Sequence, residues 1–128
     1  MSDRHTKREK LVTVIYQHLL LKKDLFECYN DYYLNPEEEF GHSIIEDIYL
    51  NEEKYIKEIS GYLNNWDFER LNYVEQAVLL EALSEIRQNI NDKAVIIDEA
   101  VIICQKYCDP DTYKYINGVL DNLCSNLA

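Results

Sequence analysis

The chain contains very few residues that interrupt a helix. Only 3 glycines and 2 prolines occur among its 128 residues, and both prolines follow polar residues typical of turns, in Asn35-Pro36 and Asp109-Pro110. So few breakers favour long helices over a β fold, which needs many turns. Hydrophobic residues make up 47% and charged residues 29% of the chain, a composition typical of a folded domain. The sequence therefore predicts one all-α domain over residues 1–128.

Apolar residues recur at helical spacing through the N-terminal half. The spacing predicts an amphipathic helix from about Asp3 to Lys22. Its apolar face comprises Leu11, Val14, Ile15 and Leu19. Asp24 is expected to cap a second helix, which should end before Pro36 because proline disfavours a helical residue in front of it. Asn35 is expected to cap a third helix.

The segment 37–64 keeps helical spacing, although Asn51-Glu52-Glu53 resembles a new helix N-terminus. One helix and two helices are both compatible with this pattern. A strongly apolar helix follows in residues 71–86, and its composition predicts a central position in the fold.

The β-branched segment 94–97 could be a strand by propensity alone. Apolar residues continue at helical spacing as far as Tyr107, however, and this periodicity predicts a helix. Asp109 is then expected to be the N-cap of a last helix, which should extend to Leu127. Gly118 lies inside that helix, where glycine costs about 1 kcal/mol relative to alanine, so we expect close packing of another helix to require it.

Charge is distributed unevenly along the chain. The net charge is −11, yet residues 1–23 carry six basic side chains and only two acidic ones. The rest of the chain carries seven basic and 22 acidic side chains. A basic end on an acidic body indicates a polyanion site confined to one surface.

The sequence contains no pattern typical of a catalytic or metal site. His5, His18 and His42 are far apart, and Cys104 and Cys108 lack the second pair that a zinc site of this kind needs. No phosphate-binding or dinucleotide-binding glycine pattern is present. We therefore expect a protein that is not an enzyme and that uses no metal or cofactor.

The sequence also predicts the cellular compartment of the protein. Its apolar runs are at most five residues long, too short to cross a bilayer, and its N-terminus lacks the apolar stretch of a signal peptide. The four cysteines are too sparse for a disulfide scaffold. A cytoplasmic protein with reduced thiols and no membrane contact is expected.

Three segments form a recognisable pattern in order and separation. They are WDFERLNYVEQAVL at 66–79, IDEAV at 97–101 and KYINGVLD at 114–121. These segments resemble the W-x-x-x-R-L…V-E-x-A-[IV]-L, I-N-E-A-V and K-F-[VI]-N-G-V-L-D sequences of the NusB family of bacterial transcription antitermination factors. The third segment is the most specific of the three.

The resemblance implies two small packed helical bundles, with about six to seven helices in all, and a non-catalytic role. NusB proteins bind the boxA element of ribosomal RNA transcripts together with NusE, a small-subunit ribosomal protein, within the antitermination complex of RNA polymerase. Carried over by position, the implied RNA-binding residues are Arg4, Lys7, Arg8, Asp111, Lys114 and Tyr115. The implied NusE-binding residues are Tyr16, Glu69 and Glu75.

Each group of implied residues also has a structural interpretation. Arg4, Lys7 and Arg8 could form an ordinary solvated helix start, but cations there oppose the helix dipole at a cost of ~0.3 kcal/mol or more each, which favours a functional reason. Tyr115 lies off the apolar stripe of its helix, so we expect an exposed ring rather than a core aromatic. Glu69 and Glu75 could belong to a solvated acidic face.

Other functions remain compatible with the sequence. An acidic helical adaptor that binds proteins and no RNA is the main alternative. NusB-like domains also precede the catalytic domain of some ribosomal RNA methyltransferases, but a Rossmann-like domain is not present in these 128 residues. The sequence is compatible with a monomer and with a homodimer.

Overall fold

Six α-helices and one short 3₁₀ helix make up most of the part of the chain that the structure describes. The computed structural model describes residues 4–64 and 67–126. Its helices are α1 (Arg4–Leu21), α2 (Leu25–Tyr32), α3 (Glu39–Ser60), the 3₁₀ helix Phe68–Arg70, α4 (Tyr73–Gln88), α5 (Lys93–Tyr107) and α6 (Thr112–Asn126). The prediction of an all-α fold with six to seven helices is confirmed. Asp3, Trp66 and Leu127 lie outside the described residues.

The helices form two groups of three around α4. Helices α1, α2 and α3 pack against one another, as do α4, α5 and α6, and α4 also packs against α1 and α3. Every residue from Gln76 to Ile86 is buried, so α4 is enclosed on all sides. The central position predicted for this helix is confirmed.

Local sequence signals define several helix ends. The Asp24 carboxylate accepts a hydrogen bond from the Glu27 backbone N–H at 3.1 Å, so Asp24 caps α2 as predicted. A capping box begins α4, because Asn72 and Glu75 each accept a hydrogen bond from the other's backbone N–H. The segment 94–97 lies within α5, which confirms the helical prediction over the strand alternative.

Two helix starts differ from the prediction. Asn35 does not cap α3, because its carbonyl accepts the Glu38 N–H at 3.0 Å and closes a turn before the helix. The hydroxyl of Tyr29 donates to the Pro36 carbonyl at 2.8 Å and fixes this turn against α2. The last helix begins at Thr112, after a turn in which the Thr112 N–H donates to the Asp109 carbonyl at 3.0 Å.

The segment 37–64 contains one helix, α3, with no break at Asn51. The Asn51 side chain donates to the Asp47 carbonyl one turn earlier, at 2.9 Å, and so does not cap a new helix. The packing reason expected for Gly118 is wrong: it is exposed, and a Cβ atom there would meet nothing within 4 Å. Within the described ranges, no helix is both long and apolar enough to cross a bilayer.

Candidate nucleic-acid interface

Arg8 is buried and does not face solvent. Its side chain is 3% exposed, and its guanidinium donates to the Glu85 carboxylate through Nε at 2.6 Å and Nη2 at 2.8 Å. A further hydrogen bond joins Nη1 to Glu99 of α5 at 3.2 Å. The expectation that Arg8 lies on an exposed face is therefore wrong, because its charge already has a buried carboxylate partner in α4.

Glu81 and Glu85 of α4 belong to the same buried network. Burial opposes ionisation of Glu85, but hydrogen bonds from Glu81 and Arg8 lower the pKa of Glu85 below its ordinary value. Burial and the nearby Glu85 charge raise the pKa of Glu81 well above its ordinary value. The raised pKa favours the protonated form of Glu81, which can donate a hydrogen bond to Glu85. Its Oε2 has no hydrogen-bond partner among the described residues.

This network of Arg8, Glu81 and Glu85 was not predicted from the sequence. The sequence of α4 does indicate such a network. A helix that is apolar on every side is expected to be enclosed by protein. Two carboxylates spaced four residues apart within such a helix need a buried cation or a shared proton. Arg8 and the Glu81 proton supply both.

Arg4 and Lys7 line a cleft of about 420 Å³ beside the start of α3. The guanidinium carbon of Arg4 lies 4.3 Å from the centre of the Phe40 ring, and Lys7 Nζ lies 2.5 Å from a Glu38 carboxylate oxygen. Glu38 neutralises the charge of Lys7, whereas the Phe40 ring leaves that of Arg4 in place. Arg4 is exposed, so its positive charge remains accessible from solvent.

All three predicted N-terminal cations thus have partners inside the molecule. With its amide oxygen turned toward them, Asn91 accepts hydrogen bonds from Arg8 Nη2 at 3.0 Å and Arg4 Nη1 at 3.2 Å. These contacts explain why cations occupy the first turns of α1 without a nucleic-acid partner. The positive surface is therefore smaller than the sequence predicted.

A second cleft, of about 440 Å³, lies where the 3₁₀ helix, α4 and α6 meet. It is lined by Arg70, Leu71, Glu75, Asp109, Asp111, Thr112 and Tyr115. We call it the Tyr115 cleft. It brings together two of the predicted RNA-binding residues, Asp111 and Tyr115, with Glu75, which was predicted to bind the partner. Three carboxylates against one guanidinium make this cleft acidic.

Tyr115 is half-buried, not fully exposed as its helical position predicted. Its hydroxyl is buried and has no hydrogen-bond partner within residues 4–64 and 67–126. Burial, followed by the charge of Glu75, raises the pKa of this hydroxyl. The hydroxyl end of the ring therefore points into the protein beside Glu75, and the exposed part of the ring lines the cleft.

The remaining predicted residues differ in exposure. Lys114 and Asp111 are highly exposed, at 69% and 95% of their side chains, and their charged atoms lie 3.9 Å apart. Glu69 is exposed on the 3₁₀ helix, while Tyr16 packs against the core of the protein. Among the described residues, no group of three or more His, Cys, Asp or Glu side chains is placed so that it could hold a metal ion.

Comparison with known proteins gives consistent results. The profile of the NusB family matches residues 5–125. The transcription antitermination protein NusB of Sulfurovum is 31% identical over 126 residues, covering 94% of this chain and 97% of that protein. The protein of the same description from Sulfurimonas denitrificans is 34% identical over 127 residues, covering 94% and 96%.

Solved structures agree in fold. The structure of T. maritima NusB matches with a TM-score of 0.90 at 25% identity, covering 98% of this chain and 92% of that one. A chain from the crystal structure of antitermination factors NusB and NusE in complex with dsRNA matches with a TM-score of 0.83 at 20% identity, covering 95% and 96%.

Proposed function

Because the chain belongs to the NusB family, we propose that it is a transcription antitermination factor that holds boxA-type single-stranded RNA together with NusE. The observation that carries the proposal is the Tyr115 cleft, in which an aromatic ring lies beside Glu75. An RNA-contacting ring and a partner-contacting carboxylate in one cleft allow a single site to contact both. Relatives with the description of antitermination protein support this role.

The RNA-binding part comprises Tyr115, Lys114, Asp111 and Arg4, with Lys7 at its edge. The accessible part of the Tyr115 ring stacks on an unpaired base. Lys114 and Arg4 retain exposed charges that attract phosphate. Asp111 repels phosphate, so its role is to accept hydrogen bonds from the amino group of a base. Arg8 takes no part, since its guanidinium is buried.

The partner-binding part comprises Glu75, Glu69 and Tyr16. The two carboxylates suit basic side chains of NusE, and the half-buried Tyr16 offers an apolar rim. The cleft is acidic, and the whole chain has a net charge of −11. RNA alone is therefore held weakly, and NusE must contribute additional positive surface.

The proposed role involves no catalysis and no cofactor. Residues 1–128 act as one RNA- and protein-binding domain, which is supported by the contacts of α4 with both groups of helices. We place the protein in the cytoplasm, in the antitermination complex of RNA polymerase, because the proposed RNA is a nascent transcript.

One observation favours a second candidate, an acidic adaptor that binds proteins and no RNA. The charges of Arg8 and Lys7 are neutralised within the molecule, by Glu85 and Glu38. An adaptor would bind NusE with the same affinity whether or not RNA is present. Titration of RNA into the preformed complex with NusE separates the two functions.

Substitutions of Tyr115 test the proposed stacking. Tyr115→Leu keeps an apolar side chain but removes the aromatic face, and should weaken RNA affinity about 5-fold to 150-fold, the range for one base-aromatic stack of about 1 to 3 kcal/mol. Tyr115→Phe keeps the face and removes a buried hydroxyl that has no partner. It should retain RNA affinity with an equal or higher melting temperature, because a buried unsatisfied hydroxyl is unfavourable.

The pair of variants separates stacking from packing. RNA affinity is measured by fluorescence anisotropy in the presence of NusE, and thermal unfolding of each variant is measured in parallel. Equal RNA affinity for the leucine and phenylalanine variants would exclude a stacking role for Tyr115.

A further inference from the structure

An exposed tyrosine joins the elements that carry the two groups of proposed RNA-binding residues. Tyr107 is the last residue of α5 and is 54% exposed. Its hydroxyl donates to the Glu9 carboxylate in the second turn of α1 at 3.1 Å. Helix α6, which carries Tyr115 in its first turn, begins five residues later at Thr112. Tyr107 thus contacts α1 and lies at the same end of the α5–α6 hairpin as Tyr115.

A cation accompanies this ring. Lys106 Nζ lies 5.2 Å from the centre of the Tyr107 ring, and the side chain is 56% exposed. The same Nζ donates to both oxygens of Glu9, at 3.2 Å and 3.1 Å. Two neighbouring residues therefore combine an accessible aromatic ring with an accessible positive charge.

We infer that Tyr107 and Lys106 form a second nucleotide-binding position for single-stranded RNA, in which the Tyr107 ring stacks on an unpaired base and Lys106 contacts an adjacent phosphate. The inference rests on the proposed function and extends it to two residues that lie between the IDEAV and KYINGVLD segments. An aromatic ring beside a cation is the combination that binds single strands without base pairing.

The contacts with Glu9 orient the Tyr107 ring for stacking, but they also compete with phosphate for Lys106. The hydrogen bond to Glu9 fixes the Tyr107 ring, so little side-chain freedom remains to be lost when a base stacks on it. Glu9 also forms an ion pair with Lys106. An exposed ion pair is weak enough for a phosphate to displace the carboxylate. Removing the Glu9 charge should therefore strengthen RNA binding.

The first test compares two tyrosines of nearly equal exposure. Tyr107→Leu is compared with Tyr49→Leu. The control residue Tyr49 lies on α3, is 53% exposed and packs against Phe26 of α2. A short single-stranded RNA containing boxA is titrated into each variant in the presence of NusE. We expect affinity to fall roughly 5-fold to 150-fold for Tyr107→Leu and to be unchanged for Tyr49→Leu. Equal affinities for these two variants would overturn the inference.

The second test does not depend on the stability of the leucine variant. Glu9→Gln keeps an acceptor for the Tyr107 hydroxyl but releases Lys106, so RNA affinity should rise and its salt dependence should steepen. Unchanged or weaker RNA affinity of Glu9→Gln would count against the position even if Tyr107→Leu fails to fold.

A protein-binding role for Tyr107 gives a different result. If Tyr107→Leu weakens NusE binding in the absence of RNA, the surface belongs to the protein partner and the inference is wrong. If Tyr115→Leu weakens RNA binding while Tyr107→Leu does not, the second position fails and the proposed function stands. If the unmodified chain with NusE binds no RNA, the proposed function itself fails.

Discussion

Replacing Arg8 with glutamine is expected to lower the free energy of unfolding by about 3 to 5 kcal/mol, the usual cost of breaking a buried ion pair from one side. The substitution leaves the Glu85 carboxylate, which is 0% exposed, without its cation. For a domain of this size such a loss lowers the melting temperature by on the order of 10 to 20 °C. Urea unfolding at neutral pH, followed by circular dichroism, measures the effect.

Lys7→Gln is the matched control, because Lys7 also lies in α1 and pairs with a carboxylate, that of Glu38, but its side chain retains 27% exposure. A pair that solvent still reaches in this way contributes about 1 kcal/mol or less. The double variant Arg8→Gln, Glu85→Gln removes both charges and should lose less stability than the two single losses added together. Equal stabilities of Arg8→Gln and Lys7→Gln would contradict the buried network. Loss of RNA binding in an Arg8 variant would reflect unfolding, not a lost phosphate contact.

Replacing Glu81 with glutamine is expected to stabilise the protein increasingly as the pH rises. In the unfolded chain Glu81 titrates near the ordinary carboxyl pKa of 4.5, whereas burial and the charge of Glu85 keep it protonated to much higher pH in the folded protein. Between these two pKa values the folded state binds more protons than the unfolded state, so stability falls as the pH rises. A glutamine amide can donate to Glu85 without carrying a titrating proton.

The pH dependence of unfolding tests this expectation. The free energy of unfolding of both proteins is measured from about pH 5 to about pH 8, and the two slopes should differ by at most one proton. The difference should be smallest at the acidic end, because Glu81 is increasingly protonated in both states there. Glu53→Gln, which removes an exposed carboxylate from α3, is the control for charge removal. Parallel curves for Glu81→Gln and the unmodified protein would show that Glu81 is not a proton-carrying residue.

The helices could be predicted from the sequence because their signals are local. The predicted cap at Asp24 is the cap of α2, and periodicity predicted the central α4. The same periodicity decided correctly against a strand at 94–97. The wrongly predicted helix starts occurred where contacts with another helix determine the local structure. Asn35 was expected to be a cap because of its residue type, but the turn there is held by Tyr29 of α2.

The candidate site was less predictable, because its geometry depends on contacts distant in sequence. Arg8 and Glu85 are 77 residues apart, so the basic N-terminus could not be recognised as a partly buried network. Tyr115 lies off the apolar stripe of its own helix, yet its hydroxyl is buried beside Glu75 of α4. In each case the position of the residue within its own helix was predicted correctly. Its contacts could not be predicted, because they are made with a different helix.

The central claim is that the chain and NusE hold RNA jointly, and the most direct measurement is a titration of boxA RNA into the chain with and without NusE. Anisotropy gives the affinity, and sedimentation of the free chain shows whether a monomer or a homodimer is being titrated. The acidic Tyr115 cleft and the neutralised charges of α1 predict weak RNA binding by the chain alone and clearly tighter binding with NusE. Equally tight binding without NusE, or no binding in its presence, would contradict the account.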